Sequence, residues 1–543
     1  MNYPLSSILD DWGWVSPLRL QGDNFDCWAF ATVASLESAL LKSTGVLYDL
    51  SPNYVQKLQL KYNQNGDLRN SITGFSYSGL GYALSWYGIL QSDNFYDDRG
   101  MITDTDLNDE RIHLQDALII FGGKNDTEDQ IKRAIMKYGA VCVQLIIGDF
   151  PADVNSTGED IACADHSTHF LSFIGWDDEK QVWFVKDSEG VVEKLDYKQS
   201  GETLFKDDIF AIVPQNAIIA YIFENNIDYH VNYQTDLTGL VGFDGNYTFY
   251  SNEFTSKYSE LIGAVGTYFN ESGINYSFDI YVNGVKKYSQ SGVSEFAGFR
   301  TIILNNYVHV NAGDVFKVVF KNNALPYQAY SRQHYVPGMS MVSENGTSWR
   351  DITLDNKTVC LKVYTVKDDT KIINNKDISV DYLGGSYYSV KVVTADGHVV
   401  VGALVKFTIA GKTYTIKTDA NGIAKIKINL VPNKYTVTAS CNGKQVKNIV
   451  TVKQVIKTSP VSVKKTAKKF SLKATLKING KLVKDKVITF KFNGKTYKVK
   501  TNSKGIAQKT FSKNTIKKLK KSKTYTVKVI YGKTSVKTTV KVK

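Results

Sequence analysis

A cysteine near the start of the sequence has the surroundings of a nucleophile. Cys27 begins a segment, 27–42, in which apolar residues recur at helical spacing, and Asp26 can cap its first turn. The positive end of the helix dipole lies there and favours thiolate over thiol. Gln21 lies six residues earlier, so its side-chain amide can fold back and form a two-donor oxyanion hole with the Cys27 backbone N–H. The alternative, a cysteine that only fills a core, stays open until the flanking residues are considered.

A predicted β-hairpin supplies a base for this cysteine. Segments 168–176 and 182–187 have strand patterns and are separated by a charged four-residue turn. With the turn centred between its second and third residues, His169 faces Ser188, beside Asp187. The imidazole and the carboxylate can then meet across the strands, as a base and its orienting group require.

The residues around Cys27 resemble the active-site segment of papain-family (C1) cysteine peptidases. The run Gln21-Gly22…Cys27-Trp28-Ala29-Phe30 carries this likeness, including the interval from glutamine to cysteine. Other segments similar to the family follow in the family's order: the start of the mature enzyme at 11–17, a helix glutamate at Glu37, the histidine strand at 169–176 and the strand of the orienting residue at 183–190. The resemblance covers about 220 residues. It implies a papain-like α+β fold over 1–226, with Cys27 as nucleophile, His169 as base, Asp187 as orienting group and Gln21 as oxyanion donor.

Three positions depart from the family's pattern. Asp187 stands where the family has asparagine, and a carboxylate there can hold the imidazole tautomer and stabilise imidazolium more strongly. Glu189 replaces a tryptophan that shields this pair, so we expect the pair to be more exposed. Asp26 would oppose thiolate formation at Cys27 by like-charge repulsion unless it is engaged as a helix cap. We expect activity to survive the first change.

The histidine assignment has one alternative. His166 follows Asp165, and this dipeptide is superficially similar to one in the family. The family's interval from the histidine to a glycine instead matches His169 and Gly175. We therefore expect His169 to be the base.

The same resemblance assigns a short segment to substrate binding. Gly74, Phe75 and Tyr77 are expected to line the S2–S3 cleft. The alignment is loose there, so Gly79 and Gly81 are the alternative. Ordinary core packing explains Phe75 and Tyr77 equally well.

After about residue 227 the helical pattern disappears. Short strand patterns with turn residues between them predict a β-sandwich, at 247–250, 261–268, 276–282, 301–304, 315–320 and 358–363. Residues 227–366 resemble the lectin-like β-sandwich that follows C1 peptidase domains in surface proteins of methanogenic archaea, with the likeness at 262–269 and 278–284. Linkers are expected near 366–377 and 454–460.

The last third of the chain contains an internal repeat. Gly-Lys-Thr-Tyr at 411–414 and the segment 418–424 each recur 83 residues later. Alternating apolar residues with Asn-Gly and Lys-Gly turns predict two immunoglobulin-like sandwiches, a first repeat at 377–453 and a second repeat at 458–543. Both resemble Ig-like units of bacterial and archaeal adhesins, which implies a stalk or a wall-binding element.

Charge separates the two ends of the chain. The net charge is +13, but residues 461–543 contain 26 lysines and one acid, Asp485, a local net charge of +25. The remaining residues therefore sum to −12. This asymmetry indicates different partners for the two ends. The lysines either solvate and protect strands or bind a polyanion, and the sequence leaves both interpretations open.

Composition restricts the cellular setting. The five cysteines have no spacing pattern, so neither a disulfide framework nor a zinc site is expected, and no metal or cofactor is implied. There is no run of 18 apolar residues, so we expect no membrane span. The first residues lack the basic and apolar regions of a signal peptide. Seven Asn-x-Ser/Thr sequons and the tandem repeats favour an exported protein whose signal has been removed over a cytosolic one.

Together these patterns predict a multidomain protein: an α+β papain-like peptidase followed by an all-β lectin-like sandwich and two Ig-like β-sandwich repeats. We expect a cell-surface cysteine endopeptidase that acts on a protein or peptide substrate. A cell-wall polymer or glycan is the expected partner of residues 227–543, and no nucleic acid is expected. The rival hypotheses are a non-catalytic adhesin on a peptidase scaffold and an isopeptidase or transglutaminase-type enzyme that acts on wall polymers.

Overall fold

The computed structural model describes residues 4, 6–22, 26–56, 77–86, 113–121, 126–147, 167–197, 210–211, 217–224, 227–329 and 335–543. The chain divides into two compact units, Met1–Lys367 and Asp368–Lys543. None of the helices in these described stretches combines the length and apolar character needed to cross a membrane.

The helices of the first unit that bear on the site are α1 (Cys27–Thr44), α2 (Ser78–Ser85) and α3 (Thr127–Tyr138). Helix α1 begins at the predicted residue and ends where Gly45 adopts a left-handed conformation, with φ 73°. Most residues of α1 are small or apolar, on all sides of the helix. Nearly all of the helix from Trp28 to Leu40 is buried. It is therefore a central helix of the unit.

The strands of the peptidase region form one antiparallel sheet in the order β2-β8-β3-β4-β5-β6, with β1 also paired to β4 and β7 to β3. Their bounds are β1 Ser6–Ile8, β2 Asp116–Phe121, β3 Val141–Ile147, β4 Ser167–Asp177, β5 Val182–Lys186, β6 Val192–Asp196, β7 Phe210–Ala211 and β8 Ala217–Ile222. The predicted hairpin is β4 and β5. Trp176, Trp183 and Ile135 belong to one buried cluster of this sheet and α3.

The next strands form the predicted all-β region. They are β9 Val231–Tyr233, β10 Gly242–Asp244, β11 Phe249–Thr255, β12 Glu260–Phe269, β13 Asn275–Val282, β14 Val285–Val293, β15 Gly298–Val310, β16 Val315–Lys321, β17 Leu325–Gln328, β18 Ser340–Ser343, β19 Arg350–Asp351, β20 Thr358–Val359 and β21 Leu361–Lys367. One sheet has the order β14-β13-β16-β11-β18-β19, and a second contains β15, β12, β21 and β9. Every predicted strand segment overlaps an observed strand.

The peptidase and all-β regions of the first unit share both a sheet and a core. Strand β2 pairs with β15, where Gly298 lies opposite Leu118 and Phe299 opposite Ala117. One buried apolar cluster contains Trp28 of α1 together with Tyr268, Phe299 and Tyr364. Because apolar burial crosses the predicted boundary near residue 227, the two regions stabilise each other.

The second unit is built of strands and one short helix. The strands are β22 Lys371–Ile373, β23 Ile378–Asp381, β24 Tyr387–Val393, β25 Val399–Val401, β26 Leu404–Ile409, β27 Lys412–Lys417, β28 Ile423–Lys427, β29 Asn433–Cys441, β30 Lys444–Lys453, β31 Ile456–Thr458, β32 Val461–Val463, β33 Lys469–Ile478, β34 Lys481–Leu482, β35 Val487–Phe492, β36 Lys495–Lys500, β37 Ile506–Ser512, β38 Thr524–Tyr531 and β39 Thr534–Val542. Strands β26, β27 and β28 recur as β35, β36 and β37 at the offset of 83 residues that the sequence repeat has.

Helix α4 (Lys513–Lys517) lies between β37 and β38 of the second repeat. One prediction about this unit is wrong. The expected linkers at 366–377 and 454–460 contain strands, because β22 pairs with β24 and β31 pairs with β33. Both strands are three residues long, which is too short for alternation to be recognised.

Candidate active site

Cys27 is the first residue of α1, as the sequence predicts, and its side chain is partly exposed. The backbone carbonyl of Asp26 accepts hydrogen bonds from the N–H groups of Ala29 at 2.8 Å and Phe30 at 3.2 Å. This arrangement leaves the N–H of Cys27 outside the helical ladder, at the positive end of the dipole. A group on the solvent side of Cys27 would meet that N–H.

Asp26 does not cap the helix with its side chain, so that prediction is wrong. The carboxyl group is fully buried, and within the described chain neither of its oxygens has a hydrogen-bond partner. Burial raises the pKa of Asp26 to about 6. The carboxyl group next to the cysteine therefore changes charge close to neutral pH.

His169 lies on β4 and contacts both Cys27 and Asp187. Its Nε2 is 3.0 Å from Oδ1 of Asp187, and a further hydrogen bond joins the imidazole to Cys27. Because Nε2 is occupied by the carboxylate, Nδ1 is the ring nitrogen left for the sulfur. Burial alone would lower the pKa of His169, but the hydrogen bonds and charges of Asp187 and Cys27 raise it to about 10.

Asp187 follows β5 and is held by several donors. Its Oδ1 accepts hydrogen bonds from Ser188 Oγ at 3.2 Å and from the Glu189 backbone N–H at 3.3 Å, in addition to His169. Burial would raise the pKa of Asp187, but these hydrogen bonds and the His169 charge lower it overall. The exposure expected from Glu189 is not found at Asp187, since its side chain is 2% exposed, against 18% for His169.

The register of the hairpin differs from the predicted one by one position. Ser172 pairs with Lys186 and Phe173 with Val185, and a β-bulge follows between Phe173 and Gly175. In this register Asp187 reaches His169 from a diagonal position on the same face instead of from beside the opposite residue. Beside the turn Trp176 pairs with Trp183, so the turn lies one residue later than predicted, and the bulge reverses half of the resulting shift.

Gln21 is attached to the loop that carries Asp187. Its backbone N–H donates to the carbonyl of Ser188 at 2.8 Å, and Leu20 forms an antiparallel bridge with Glu189. The side-chain oxygen of Gln21 is buried. The segment before the nucleophile and the loop of the orienting residue thus form one fixed assembly.

The predicted substrate residues are only partly described. Gly74, Phe75 and the alternative base His166 lie outside the described residues. Tyr77 precedes α2 and packs against the same core cluster as Cys27, and burial raises the pKa of its phenol.

The alternative glycines pack inside the protein. A Cβ at Gly79 would lie 1.9 Å from the hydroxyl oxygen of Thr32, and one at Gly81 would lie 2.6 Å from the Cα of Gly239. Both positions are buried and need glycine for close packing.

Two cations near the site were missed, the partly buried Arg19 and the buried Lys186. Arg19 donates to both carboxylate oxygens of Glu37, at 2.9 and 2.6 Å, and the backbone N–H of Leu50 donates to the same carboxylate at 2.7 Å. Lys186 Nζ donates to the carbonyls of Ser16 and Pro17 and to the Ser16 hydroxyl at 2.7–2.9 Å. Burial lowers the pKa of Lys186 to about 8.

These contacts attach the segment before Gln21 to α1 and to β5, the strand that precedes Asp187. A lysine within the apolar run of β5 was the signal in the sequence for Lys186. Arg19 gave no comparable signal, because its partner Glu37 is distant along the chain.

The profile for papain family cysteine proteases matches residues 9–191, and the profile for lectin like domains matches residues 232–365. Residues 9–191 are a papain-family cysteine protease domain. A lectin-like domain follows it. The protease domain contains every described residue of the candidate site, and its match ends just after the loop of Asp187.

Curated relatives of the protease domain are cathepsins and similar proteases. Cathepsin 7 of Rattus norvegicus is 27% identical over 201 residues, which are 35% of this chain and 58% of that protein. The cathepsin L-like proteinase of Phaedon cochleariae is 26% identical over 199 residues, 35% of this chain and 57% of that protein. The chain thus spans little more than half the length of these relatives.

A solved structure covers both domains. The cysteine protease and lectin-like domains of Cwp84, a surface layer associated protein of Clostridium difficile, match 68% of this chain and 90% of that chain with a TM-score of 0.51 and 19% identity. At this identity the likeness concerns the fold alone.

Proposed function

We propose that the chain is a cell-surface cysteine endopeptidase that hydrolyses peptide bonds with Cys27, His169 and Asp187. The observation that carries this proposal is the placement of His169, which is hydrogen-bonded on one side to Asp187 and on the other to Cys27. A base between a nucleophile and a buried carboxylate is the arrangement that nucleophilic acyl transfer requires.

The raised pKa of His169, about 10, indicates that the proton resides on the imidazole at neutral pH. In the proposed reaction the Cys27 thiolate attacks the scissile carbonyl carbon, and the imidazolium gives its proton to the leaving amine. Water then attacks the thioester while His169 takes a proton from it, and the acid product leaves as the thiolate re-forms. Each cycle consumes one water and restores both groups.

The negative oxygen of the tetrahedral intermediate needs donors on the helix side. The Cys27 backbone N–H lies at the start of α1, and we assign the Gln21 side-chain amide as the second donor. The hydrogen bond from the Gln21 backbone to Ser188 supports this assignment, because it holds Gln21 at the same end of the site as Asp187. Tyr77, with Gly74 and Phe75, remains our proposal for the substrate cleft.

The surface location is proposed from the arrangement of domains. The Cwp84 protein with the same pair of folds is a surface layer associated protein. We propose that residues 377–453 and 458–543 are Ig-like domains that hold the peptidase at a wall, and that the lectin-like domain contributes a glycan contact.

The decisive experiment is labelling with a thiol-directed epoxide in reducing buffer. We expect one adduct, located at Cys27 by peptide mass spectrometry and absent from Cys27→Ala. Cys142, Cys360 and Cys441 are buried and serve as internal controls. No adduct at Cys27 in a folded sample would contradict the peptidase proposal and favour the non-catalytic adhesin.

A second assay identifies the bond that is cleaved. Unlabelled protein is incubated with a peptide library and, separately, with intact wall material that contains isopeptide links. Cleavage of library peptides, abolished in Cys27→Ala, supports an endopeptidase. Release from wall material without cleavage of any library peptide would instead support the isopeptidase alternative.

A further inference from the structure

The two repeats of the second unit offer an internal comparison. The first repeat contains a five-stranded sheet in the order β23-β30-β29-β26-β27, and the second contains β32-β39-β38-β35-β36 in the corresponding order. In each sheet one pairing is parallel, β23 with β30 and β32 with β39, and the others are antiparallel. Differences between the outer faces of these sheets therefore do not come from topology.

The sheet of the second repeat carries a row of lysines on its outer face. Lys491 lies opposite Lys528, and Lys528 lies opposite Lys537, on three adjacent strands. We call these three residues the lysine row. All three are exposed, and their sequence neighbours Phe490, Phe492, Val527 and Val529 are buried on the inner face. Adjacent strands are about 4.8 Å apart, so the row places three positive charges within roughly 10 Å.

Such a row opposes folding of the sheet. Like charges directly opposite each other on neighbouring strands destabilise the pair. Asp485 is the acidic residue of 461–543, and its ion pair is with Lys484 at 3.8 Å. Throughout 335–543, which is described without gaps, the lysine row has no ion pair with a carboxylate.

The first repeat shows that the fold does not need this row. At the same positions of the same sheet, Thr408 lies opposite Thr438, and Thr438 lies opposite Lys447. Threonine pairs are favourable in a sheet. At two of the three positions, therefore, the first repeat has a residue that suits a strand better than lysine does.

We propose that the lysine row is a binding site for an acidic polysaccharide. The three lysines lie on successive strands, so an acidic chain laid across the strands would meet one positive charge per strand. Lys498 lies across from Thr489 and Lys541 across from Thr524, so charge and hydroxyl groups continue along the face. This proposal does not depend on catalysis by Cys27, since binding and labelling are measured separately.

The chemistry of the face favours a polysaccharide over a nucleic acid. Residues 461–543 contain no arginine, the residue suited to bidentate phosphate and base contacts. Proteins that bind single strands usually add aromatic platforms. Tyr497 and Tyr525 of these strands instead pack inward, Tyr497 against Phe511 and Tyr525 against Phe492.

The test measures binding of the full chain to polygalacturonate and to dextran sulfate, with neutral dextran and single-stranded DNA as comparisons. The variant K491T/K528T gives the second repeat the two threonines and one lysine that the first repeat has at these positions. The control K473T/K477T removes the same two charges from exposed positions on β33, which belongs to the other sheet of the second repeat.

We expect K491T/K528T to weaken binding of an acidic polysaccharide at least tenfold at low salt and to flatten its dependence on salt. The control should change the affinity less than twofold. The reciprocal variant T408K/T438K should strengthen binding severalfold. The ratio of the affinities for the two polymers shows whether carboxylate or sulfate is preferred.

Three outcomes would overturn the proposal. Equal losses in K491T/K528T and K473T/K477T would mean that net charge alone attracts the polymer. No salt-sensitive binding to either acidic polymer would remove the site. Tighter binding to DNA than to both polysaccharides would identify a different class of partner.

Discussion

Charged side chains from neighbouring strands meet at two places in this protein. One set is buried and opposite in charge, and the other is exposed and like in charge. In the protease domain, His169 and Asp187 are opposite in charge, and the carboxylate is 2% exposed. In the second repeat, the lysine row brings like charges together on an exposed face. Contacts between neighbouring strands thus serve an internal pair in one place and an external partner in the other. Burial decides between them, because a charge removed from water needs a partner within the protein.

Of the substitutions that test this comparison, removal of His169 is expected to have the largest effect, on catalytic activity. We expect His169→Ala to lower kcat/KM for a peptide substrate by about 100- to 10,000-fold, since the proton donor and acceptor of both steps is lost. The measurement is steady-state kinetics with the most rapidly cleaved library peptide. His166→Ala is the matched control and should retain most activity. Equal losses in both variants would contradict the assignment of His169 as the base.

The next largest effect is expected in the lectin-like domain, where a charge pair is completely buried. Lys362 Nζ donates to Asp236 Oδ1 at 2.8 Å, and both side chains are 0% exposed. We expect Lys362→Met to lower the free energy of unfolding by about 3–5 kcal/mol, because Asp236 remains as an unpaired buried charge. All seven tryptophans precede residue 368, so their fluorescence during urea unfolding reports on the first unit.

The double variant K362M/D236L distinguishes the effect of an unpaired Asp236 carboxylate from the effect of altered packing around residue 362. It removes both charges and should recover most of the lost stability. A double variant as unstable as Lys362→Met would show that packing around residue 362, and not the unpaired carboxylate, causes the loss.

Asp26 offers an intermediate case, a buried carboxyl without a partner. Its pKa is about 6 in the folded chain, above the ordinary 3.8, so the folded state holds its proton more tightly than the unfolded state does. This group therefore contributes stability at low pH that is lost as the pH rises through about 6. We expect Asp26→Asn to raise the free energy of unfolding by about 1–2 kcal/mol at pH 7.5 and to change it little at pH 4.

The measurement for Asp26 is urea unfolding at both pH values, followed by tryptophan fluorescence. Asp10→Asn is a matched control, since that carboxyl is exposed. A stabilisation that is the same at pH 4 and pH 7.5 would show that ionisation of Asp26 is not its cause.

Replacement of Asp187 by the family's asparagine tests whether the negative charge of Asp187 acts on His169. The charge and hydrogen bond of Asp187 help to raise the pKa of His169, so we expect that pKa to fall in Asp187→Asn. The alkaline limb of the kcat/KM profile, where imidazolium is lost, should then move to lower pH. We expect the rate at the optimum to change less than about tenfold, because an amide can still orient the ring. An unchanged alkaline limb would contradict a role for the Asp187 charge.

The sequence was sufficient for features with a local pattern and insufficient for those made by packing. Helix α1 and strands β4 and β5 follow from the periodicity of their own residues. The bulge between Phe173 and Gly175 does not, since it depends on how β4 fits β1 and β5. A Cβ at Gly175 would lie 2.3 Å from the Ser7 carbonyl of β1, which requires glycine there.

The same distinction applies to charged groups. Cys27, His169 and Asp187 were recognisable because chemistry and motif spacing coincide at these positions. The partners Arg19–Glu37 and Lys362–Asp236 lie 18 and 126 residues apart, and no local pattern connects them. At Asp26 a local pattern was misleading. Its position before a helix predicted a side-chain cap, but the carboxyl group is buried and makes no capping hydrogen bond.

The smallest effect is expected on the stability of the second repeat when the lysine row is changed in the absence of a ligand. This change should stabilise the fold, whereas removal of one member of a buried pair destabilises it. We expect K491T/K528T to stabilise the second repeat by about 0.2–1 kcal/mol at low salt, since repulsion between opposed lysines is removed. The gain should shrink in about 1 M salt, where exposed charges are screened within a few ångströms. Hydrogen exchange of the β35 and β38 amides measures it, because this unit contains no tryptophan. K473T/K477T controls for the strand preference of threonine, and an equal gain in that variant would show that the row carries no repulsion of its own.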